Sequence, residues 1–286
     1  MLKLNRTLCY LLLTFIYTIA TTLGILIYIA LPYDLWLKLL IADVCATASV
    51  FIFSQALDNS SVYDPYWSVA PMVILTALCF GTELNPVKLA LFIPIMIWGT
   101  RLTLNFAYTF VGFSYQDWRY VMLKEKTGKF YPLINFLGIH LFPTLVVYLC
   151  IMPAALVITS DSEGSPLSIV FSGLILFAVL LQGIADFQMH KYRRNKTTTF
   201  IRVGLWKHSR HPNYLGEILV WWLTALASAA YLGFTWWLFL GAIVNNLMFL
   251  FVSIPMADKR QSAKPGFDEY KRVTRGLLPL KFGKDV

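Results

Sequence analysis

The chain has 286 residues, of which 58% are hydrophobic and only 14% charged. Soluble domains carry about 25% charged residues, so the composition excludes an ordinary soluble domain and indicates an integral membrane protein. The net charge of +9 raises the question of a nucleic-acid partner. We expect none, because the basic residues lie between apolar runs and no nucleic-acid-binding motif accompanies them.

Apolar runs long enough to cross a bilayer as helices follow one another along the chain. They predict an all-α fold, a polytopic bundle of about eight transmembrane helices that forms a single membrane domain over residues 1–286. Prolines near several of the predicted helix starts support the boundaries. The predicted spans lie near 8–31, 35–57, 66–81, 87–112, 133–157, 166–189, 213–231 and 234–255.

The distribution of Lys and Arg predicts the orientation of these helices. Four segments, 1–7, 113–132, 190–211 and 256–286, hold 21 of the 24 basic residues, whereas the short loops that alternate with them hold none. By the positive-inside rule both termini should lie in the cytoplasm. We expect a multi-pass protein of either a bacterial inner membrane or an endoplasmic reticulum.

The stretch GLWKHSRHPNYLGE, residues 204–217, is a polar island in this apolar chain. Proline suits the first turn of a helix, so we predict that a helix begins near Pro212 with Ser209 or His211 as its cap. Glu217 and Trp221 then follow Tyr214 on one stripe of that helix, with Glu217 inside the apolar span. A helix N-terminus flanked by cations favours an anion, and an ionisable residue inside an apolar run favours a functional site.

Other polar residues gather towards the predicted cytoplasmic side. Asp64 opens the third predicted helix, and Arg101 and Asn105 lie one turn apart in the fourth, where Arg101 needs an anionic partner. His140 fits a structural role better than a catalytic one. The four cysteines show no metal-ligand spacing, and we predict no metal site.

Six short motifs follow one another over about residues 60 to 280. They are Asp64-Pro65-x-Trp67-Ser68, Trp98-Gly99-x-Arg101-Leu102-x-x-Asn105, Asp117-x-Arg119-Tyr120, Ala185-Asp186-x-Gln188, Trp206-x-x-x-Arg210-His211-Pro212-Asn213-Tyr214-x-Gly216-Glu217 and Pro265-Gly266-Phe267-x-x-Tyr270. Taken in order, these motifs resemble the steroid 5-alpha-reductase-like membrane family. Isoprenylcysteine carboxyl methyltransferases share the core of the fifth motif, so the ordered set is more specific than that motif alone.

The resemblance implies an NADPH-dependent reduction of a carbon–carbon double bond conjugated to a carbonyl, on a lipid-soluble, sterol- or steroid-like substrate. It implies that residues 1–112 form the side of the lipid substrate and residues 113–286 the half that binds NADPH. Asp64, Glu217 and Tyr214 would be catalytic. The residues that would bind the cofactor are Arg101, Asn105, Arg119, Tyr120, Asp186, Arg210, His211, Asn213, Tyr214 and Tyr270.

Two departures from the family pattern leave the substrate and the proton donor open. Trp98 stands where steroid reductases have a tyrosine that partners the substrate-side carboxylate, and Asp258 stands where this branch more often has glutamate. Tyr66, Tyr214 or Tyr270 could replace Asp64 as the donor to the substrate carbonyl. The alternatives are an S-adenosylmethionine-dependent methyltransferase of the isoprenylcysteine type and a non-enzymatic sterol-binding or scaffold protein. The oligomeric state stays open.

Overall fold

The computed structural model describes residues 5–196 and 198–278, and in these residues it contains α-helices and no strands. Short 3-10 turns and two π-helical segments, Asn135–Leu141 and Phe249–Ser253, join some of the helices. The α-helices of the described residues are α1 (Arg6–Ala30), α2 (Leu35–Ala56), α3 (Tyr66–Cys79), α4 (Pro86–Thr109), α5 (Trp118–Thr127), α6 (Tyr131–Ile134), α7 (Phe142–Thr159), α8 (Pro166–Arg194), α9 (Pro212–Leu232), α10 (Leu240–Met248), α11 (Ile254–Ser262) and α12 (Phe267–Val273).

Seven helical segments of the described chain are long and apolar enough to cross a membrane, close to the predicted eight. The difference lies at the predicted third span, where α3 has only 14 residues and contains Pro71. The predicted helix at residues 133–157 is part of a longer helical segment, Trp118–Thr159. In it a 3-10 turn joins α5 to α6, and a π-helical segment joins α6 to α7. The seven spans are Arg6–Ala30, Leu35–Ala56, Pro86–Thr109, Trp118–Thr159, Pro166–Arg194, Pro212–Leu232 and Trp236–Ser262.

The chain divides into two compact units. The first comprises the described residues up to Leu84 together with Trp98–Thr159, and the second comprises Asn85–Ile97 together with the described residues from Ser160 onward. In the first unit, α1 packs on α2 and α3, with Ile16 and Val50 fully buried in the shared core. Lipid is as apolar as these side chains, so close van der Waals packing holds such helices together.

In the second unit, α8 and α9 form the most extensive helix pair. Gly216 allows this close approach, since a Cβ atom at that position would lie 2.4 Å from Gln182 Cγ and 2.9 Å from the Ala178 carbonyl oxygen. Beyond α11, the chain turns at Gly266, which has a φ of +79°. Phe267 and Tyr270 of α12 then pack against Phe200. This packing holds α12 against the segment that connects α8 to α9.

Candidate functional site

The predicted helix start in the polar island is confirmed. α9 begins at Pro212, and His211 is its N-cap residue, although its side chain makes no capping hydrogen bond. Ser209 Oγ instead accepts a hydrogen bond from the His211 backbone N–H at 3.3 Å. The backbone N–H groups of Arg210 and His211 donate to the carbonyl oxygens of Arg275 and Gly276, each at 3.0 Å. The entrance to α9 is therefore paired with a segment more than 60 residues away in the sequence.

Asp258 holds the two basic residues of the motif. Its Oδ2 atom lies 2.8 Å from Arg210 Nη2, and its Oδ1 atom lies 3.3 Å from Arg210 Nε and 3.0 Å from His211 Nε2. The exposed fraction of the side chain is 5% for Asp258, 10% for Arg210 and 8% for His211, so all three are buried. Arg210 Nη1 also donates to the carbonyl oxygens of Lys271 and Thr274. The guanidinium of Arg210 thus joins the start of α9 to α11 and to the end of α12.

Aromatic stacking continues this cluster along α9. The rings of His211 and Tyr214 are nearly parallel, with centroids 5.0 Å apart, and the Tyr214 ring lies 4.8 Å from that of Phe249. Asn213 Oδ1 is buried and has no hydrogen-bond partner among the described residues. His211, Asn213 and Tyr214, which the resemblance assigns to the cofactor, are therefore neighbours in the structure.

A basic cleft of about 440 Å³ opens beside this cluster, within the second unit. Four of its lining residues are basic, namely Arg210, Lys271, Arg272 and Arg275, and none of the described lining residues is acidic. Lys271 Nζ is 3.9 Å from Asp258 Oδ2, and Arg272 pairs with Glu269 at 3.0 Å. A concave surface with such a charge favours a ligand that carries several negative charges. The other lining residues are Leu250, Ile254, Thr274, Gly276, Leu277 and Leu278.

Tyr270, a predicted cofactor residue, is 6% exposed and anchors the chain. Its hydroxyl donates to the backbone carbonyl of Trp206 and lies 3.4 Å from that of Ser209. Burial raises the pKa of this phenol well above its ordinary value. The hydroxyl therefore stays protonated and ties α12 to the turn before α9.

Glu217 is 7% exposed on α9 and is held by two neutral donors. Gln182 Nε2 of α8 donates to Oε2 at 2.7 Å, and Trp221 Nε1 donates to Oε1 at 2.8 Å. The predicted stripe of Glu217 and Trp221 is thus a hydrogen-bonded pair one turn apart. Because the bond from Gln182 joins α8 to α9, the carboxyl of Glu217 also helps to fix how the two helices pack.

Asp64 forms a separate polar group in the first unit. Tyr120 donates its hydroxyl hydrogen to Asp64 Oδ1 at 2.5 Å. Arg119 bonds Asp117, the N-cap residue of α5, through both its backbone N–H and its Nε atom, at 2.9 and 2.8 Å. The structure therefore brings together three residues that the sequence predicts as site residues, namely Asp64, Arg119 and Tyr120.

The surroundings of Asp64 change its acidity. Burial raises the pKa of its carboxyl to about 6, although the positive charge of Arg119 and the hydrogen bond from Tyr120 act in the opposite direction. A carboxyl with that pKa exchanges its proton near neutral pH, as a general acid or base must.

The remaining predicted residues lie on two long helices. Arg101 and Asn105 are partly buried, one turn apart on α4, within the first unit. Asp186 is partly buried near the end of α8 in the second unit, where its negative charge acts on His190.

Sequence reasoning missed Lys271, Arg272 and Arg275 as candidates for anion binding. The available signal was their clustering, three basic residues within five positions, in a tail that we attributed to positive-inside bias. It also missed the role of Asp258 as the partner of Arg210, because 48 residues separate them and no local pattern connects them.

The chain belongs to the family described as "Protein of unknown function (DUF1295)", whose model matches residues 50–274. This is a membrane-protein family of the steroid 5-alpha-reductase type. An uncharacterised protein of Schizosaccharomyces pombe is 28% identical in an alignment that covers 65% of this chain and 63% of that protein. No solved structure matches the chain.

Proposed function

We propose that this member of the DUF1295 family is a membrane-embedded NADPH-dependent reductase. Its substrate would be a lipid-soluble molecule with a carbon–carbon double bond conjugated to a carbonyl, as the resemblance implies. The observation that carries the cofactor assignment is the basic cleft of the second unit, lined by Arg210, Lys271, Arg272 and Arg275.

Charge distinguishes the two cofactors that the sequence leaves open. NADPH carries a pyrophosphate and a 2′-phosphate, and guanidinium and ammonium groups bind such oxygens through charge-assisted hydrogen bonds. S-adenosylmethionine carries a sulfonium cation and no phosphate, so a cleft with this lining would repel its charged centre. The residues of the cleft therefore fit NADPH and favour the reductase over the methyltransferase.

Each basic residue of the cleft would contribute differently. Arg210 already bonds Asp258 and two backbone carbonyls, so its main contribution is to hold the cleft in shape. The side chain of Lys271 is 47% exposed and lies 3.9 Å from Asp258 Oδ2, and it can turn towards a phosphate. We therefore assign phosphate binding to Lys271, Arg272 and Arg275.

When bound, NADPH supplies a hydride to the β carbon of the conjugated double bond. Negative charge then develops on the carbonyl oxygen of the substrate, and a hydrogen-bond donor at that oxygen lowers the barrier. The resemblance assigns this role to Asp64, and its carboxyl keeps a protonated fraction near neutral pH, as such a donor must. The resemblance also implies that Glu217 contacts the nicotinamide end of the cofactor, and Tyr214 stays an alternative donor.

Ligand-induced stabilisation of the purified protein tests the cofactor directly, without a known substrate. A ligand at 100 times its dissociation constant stabilises a protein by about 2.7 kcal/mol. We expect thermal stabilisation by NADPH, less by NADH, which lacks the 2′-phosphate, and none by S-adenosylmethionine. Lys271→Gln should weaken NADPH binding about fivefold, as an exposed charge contact does.

Lys259→Gln provides the matched control, since Lys259 is an exposed lysine of the same unit outside the cleft. Arg210→Ala is a poor test, because removing this guanidinium would also disturb the packing around Asp258. Stabilisation by S-adenosylmethionine but not by NADPH would favour the methyltransferase. No stabilisation by any of these ligands would favour the scaffold protein. If NADPH binds, its oxidation in the presence of lipid-soluble enones then tests the reaction.

A further inference from the structure

One face of α8 is apolar and exposed along the membrane span and becomes basic at its end. Leu180, Ile184 and Phe187 are 57%, 41% and 67% exposed, and their spacing puts them on one face of the helix. Lys191 and Arg194, which are also exposed, continue this face at the same alternation of four and three residues. We call these five residues the α8 stripe.

The length of α8 places the basic end of the stripe at the surface of the membrane. The helix has 29 residues, which is about 43 Å at 1.5 Å per residue, whereas about 20 residues cross the hydrocarbon core of a bilayer. Counted from Pro166, the core is therefore crossed near Ala185. Lys191 and Arg194 then lie at the level of the lipid headgroups, whereas Leu180 faces the lipid chains.

The chain that follows α8 packs against the turn that follows α11, within the second unit. Thr199 Oγ1 donates to the carbonyl oxygen of Pro265 at 3.3 Å. The rings of Phe200 and Phe267 make an edge-to-face contact, with centroids 5.3 Å apart. These contacts hold the turn that contains Lys264 beside the end of α8.

Positive charges of the two segments converge at this place. Lys264 is partly buried. Burial lowers the pKa of its ammonium, and the positive charges of Arg260, Lys196 and Arg193 lower it further. We call these four residues the α8–α11 cluster. Like charges at close range repel one another, so the cluster favours an anionic partner.

The two segments themselves contain little negative charge that could act as this partner. Residues 190–211 include no Asp or Glu, and residues 254–266 include only Asp258, which holds Arg210 and His211. Positive-inside bias accounts for basic residues on one side of a membrane. It does not require them to converge from two distant segments beside an exposed apolar stripe.

The combination of groups selects an amphiphilic anion. Guanidinium and ammonium groups bind phosphate oxygens through charge-assisted hydrogen bonds, and clusters of Lys and Arg directly beyond a membrane helix bind anionic headgroups. The apolar part of the α8 stripe matches the hydrocarbon chains of such a lipid. A free phosphate ion or an acidic protein segment would leave this apolar part unused.

We propose that the end of α8 and the turn after α11 bind an anionic phospholipid, with its headgroup at the α8–α11 cluster and its chains along the α8 stripe. None of these residues lines the basic cleft. The site requires neither NADPH nor turnover, so this inference and the proposed function can fail independently.

Native mass spectrometry of the protein in a neutral detergent tests the site, because it resolves single bound lipid molecules. The probes are dioleoyl phosphatidylglycerol, which is anionic, and dioleoyl phosphatidylcholine, which has the same chains and no net charge. We expect phosphatidylglycerol to bind at least about tenfold more tightly, since each basic residue near an anionic headgroup contributes a factor of about five. Glycerophosphoglycerol, the same headgroup without chains, should not displace it at equal concentration.

Single charge removals locate the site. Lys264→Gln and Arg193→Gln should each weaken the binding of phosphatidylglycerol about fivefold and leave that of phosphatidylcholine unchanged. Lys271→Gln is the control and should change neither, because it removes the same charge from an exposed lysine of the same unit outside the cluster. Thermal unfolding shows whether each variant is folded, and Arg193→Gln, at an exposed position, decides the matter if Lys264→Gln is not.

Three results would overturn the inference. Equal binding of the two lipids would remove the preference for an anion. Displacement by glycerophosphoglycerol at equal concentration would mean a site for a free phosphate group rather than for a lipid. Unchanged binding by folded Arg193→Gln and Lys264→Gln, or an equal loss in Lys271→Gln, would place the anionic lipid elsewhere on the protein.

Discussion

Replacing Asp258 with asparagine should destabilise the protein by about 3 kcal/mol, the cost of breaking a buried ion pair. Asp258 is 5% exposed and accepts hydrogen bonds from Arg210 and His211. The amide of the substituted side chain would keep the shape and one acceptor oxygen, but it would leave the Arg210 guanidinium, 10% exposed, without its negative partner. The free energy of unfolding should therefore fall far more than for the loss of an exposed ion pair, which contributes about 0 to 1 kcal/mol.

The assay is reversible unfolding in mixed detergent micelles, followed by circular dichroism. Asp268→Asn is the control, because it makes the same chemical change at an exposed position of α12 in the same unit. The double variant Asp258→Asn with Arg210→Gln should lose less free energy of unfolding than the sum of the two single losses, because Arg210→Gln removes the charge that Asp258→Asn leaves unpaired. If Asp258→Asn is no more harmful than Asp268→Asn, Asp258 does not hold the C-terminal segment as we infer.

Three further predictions use the same unfolding assay. Gly216→Ala should lower the free energy of unfolding by about 2 kcal/mol through overpacking, because the added Cβ atom would lie 2.4 Å from Gln182 Cγ. Gly173→Ala is the control and should be neutral or slightly stabilising, because its Cβ atom would have no neighbour within 4 Å. Arg210→Lys should lower the free energy of unfolding by about 2 kcal/mol. A lysine ammonium cannot make both the forked contact with the Asp258 carboxylate and the bonds to the two backbone carbonyls. Burial raises the pKa of Asp64 to about 6, so its contribution to stability should be complete below about pH 4 and lost as the pH rises through 6. Asp64→Asn should lack this change, and a pH profile identical to that of the wild type would contradict the prediction.

The sequence was sufficient for the features that depend on local patterns. Apolar runs predicted the membrane spans, and Pro212 marked the start of α9. The pairing of Glu217 with Trp221 follows from their spacing of four residues on a helix. These features depend on interactions between residues that are close in the chain, and helical periodicity reports such interactions well.

The third predicted helix is present, but it is shorter than the seven segments that are long enough to cross a membrane. The apolar run at residues 66–81 has almost the length of a span, yet α3 ends at Cys79 after 14 residues, and a turn with Gly81 at a φ of +86° follows. Hydropathy reports that a segment is apolar, whereas the end of a helix is set by its local turn residues and its tertiary packing.

The partners of the polar residues required the structure. Arg210 could be recognised as important, but its contacts lie 48 to 64 residues further along the chain, at Asp258, Lys271 and Thr274. The pair of Asp43 and Tyr66 likewise joins two helices with no shared motif. Such contacts depend on how helices pack, and a single sequence carries no periodic signal for them.

Basic residues of a membrane protein can either set its orientation or bind an anionic ligand, and their positions in the structure distinguish the two roles. Lys271, Arg272 and Arg275 follow the positive-inside pattern as well as any residues of the chain, so the sequence offers no reason to single them out. In the structure they line one concave surface together with Arg210, and no described lining residue is acidic. Topology alone requires basic residues on one side of the membrane but does not require them to converge on a cleft. The convergence of these residues on one cleft is therefore the feature that favours a phosphate-bearing cofactor. Comparing NADPH binding by Lys271→Gln with that by the control Lys259→Gln measures whether the cleft binds it.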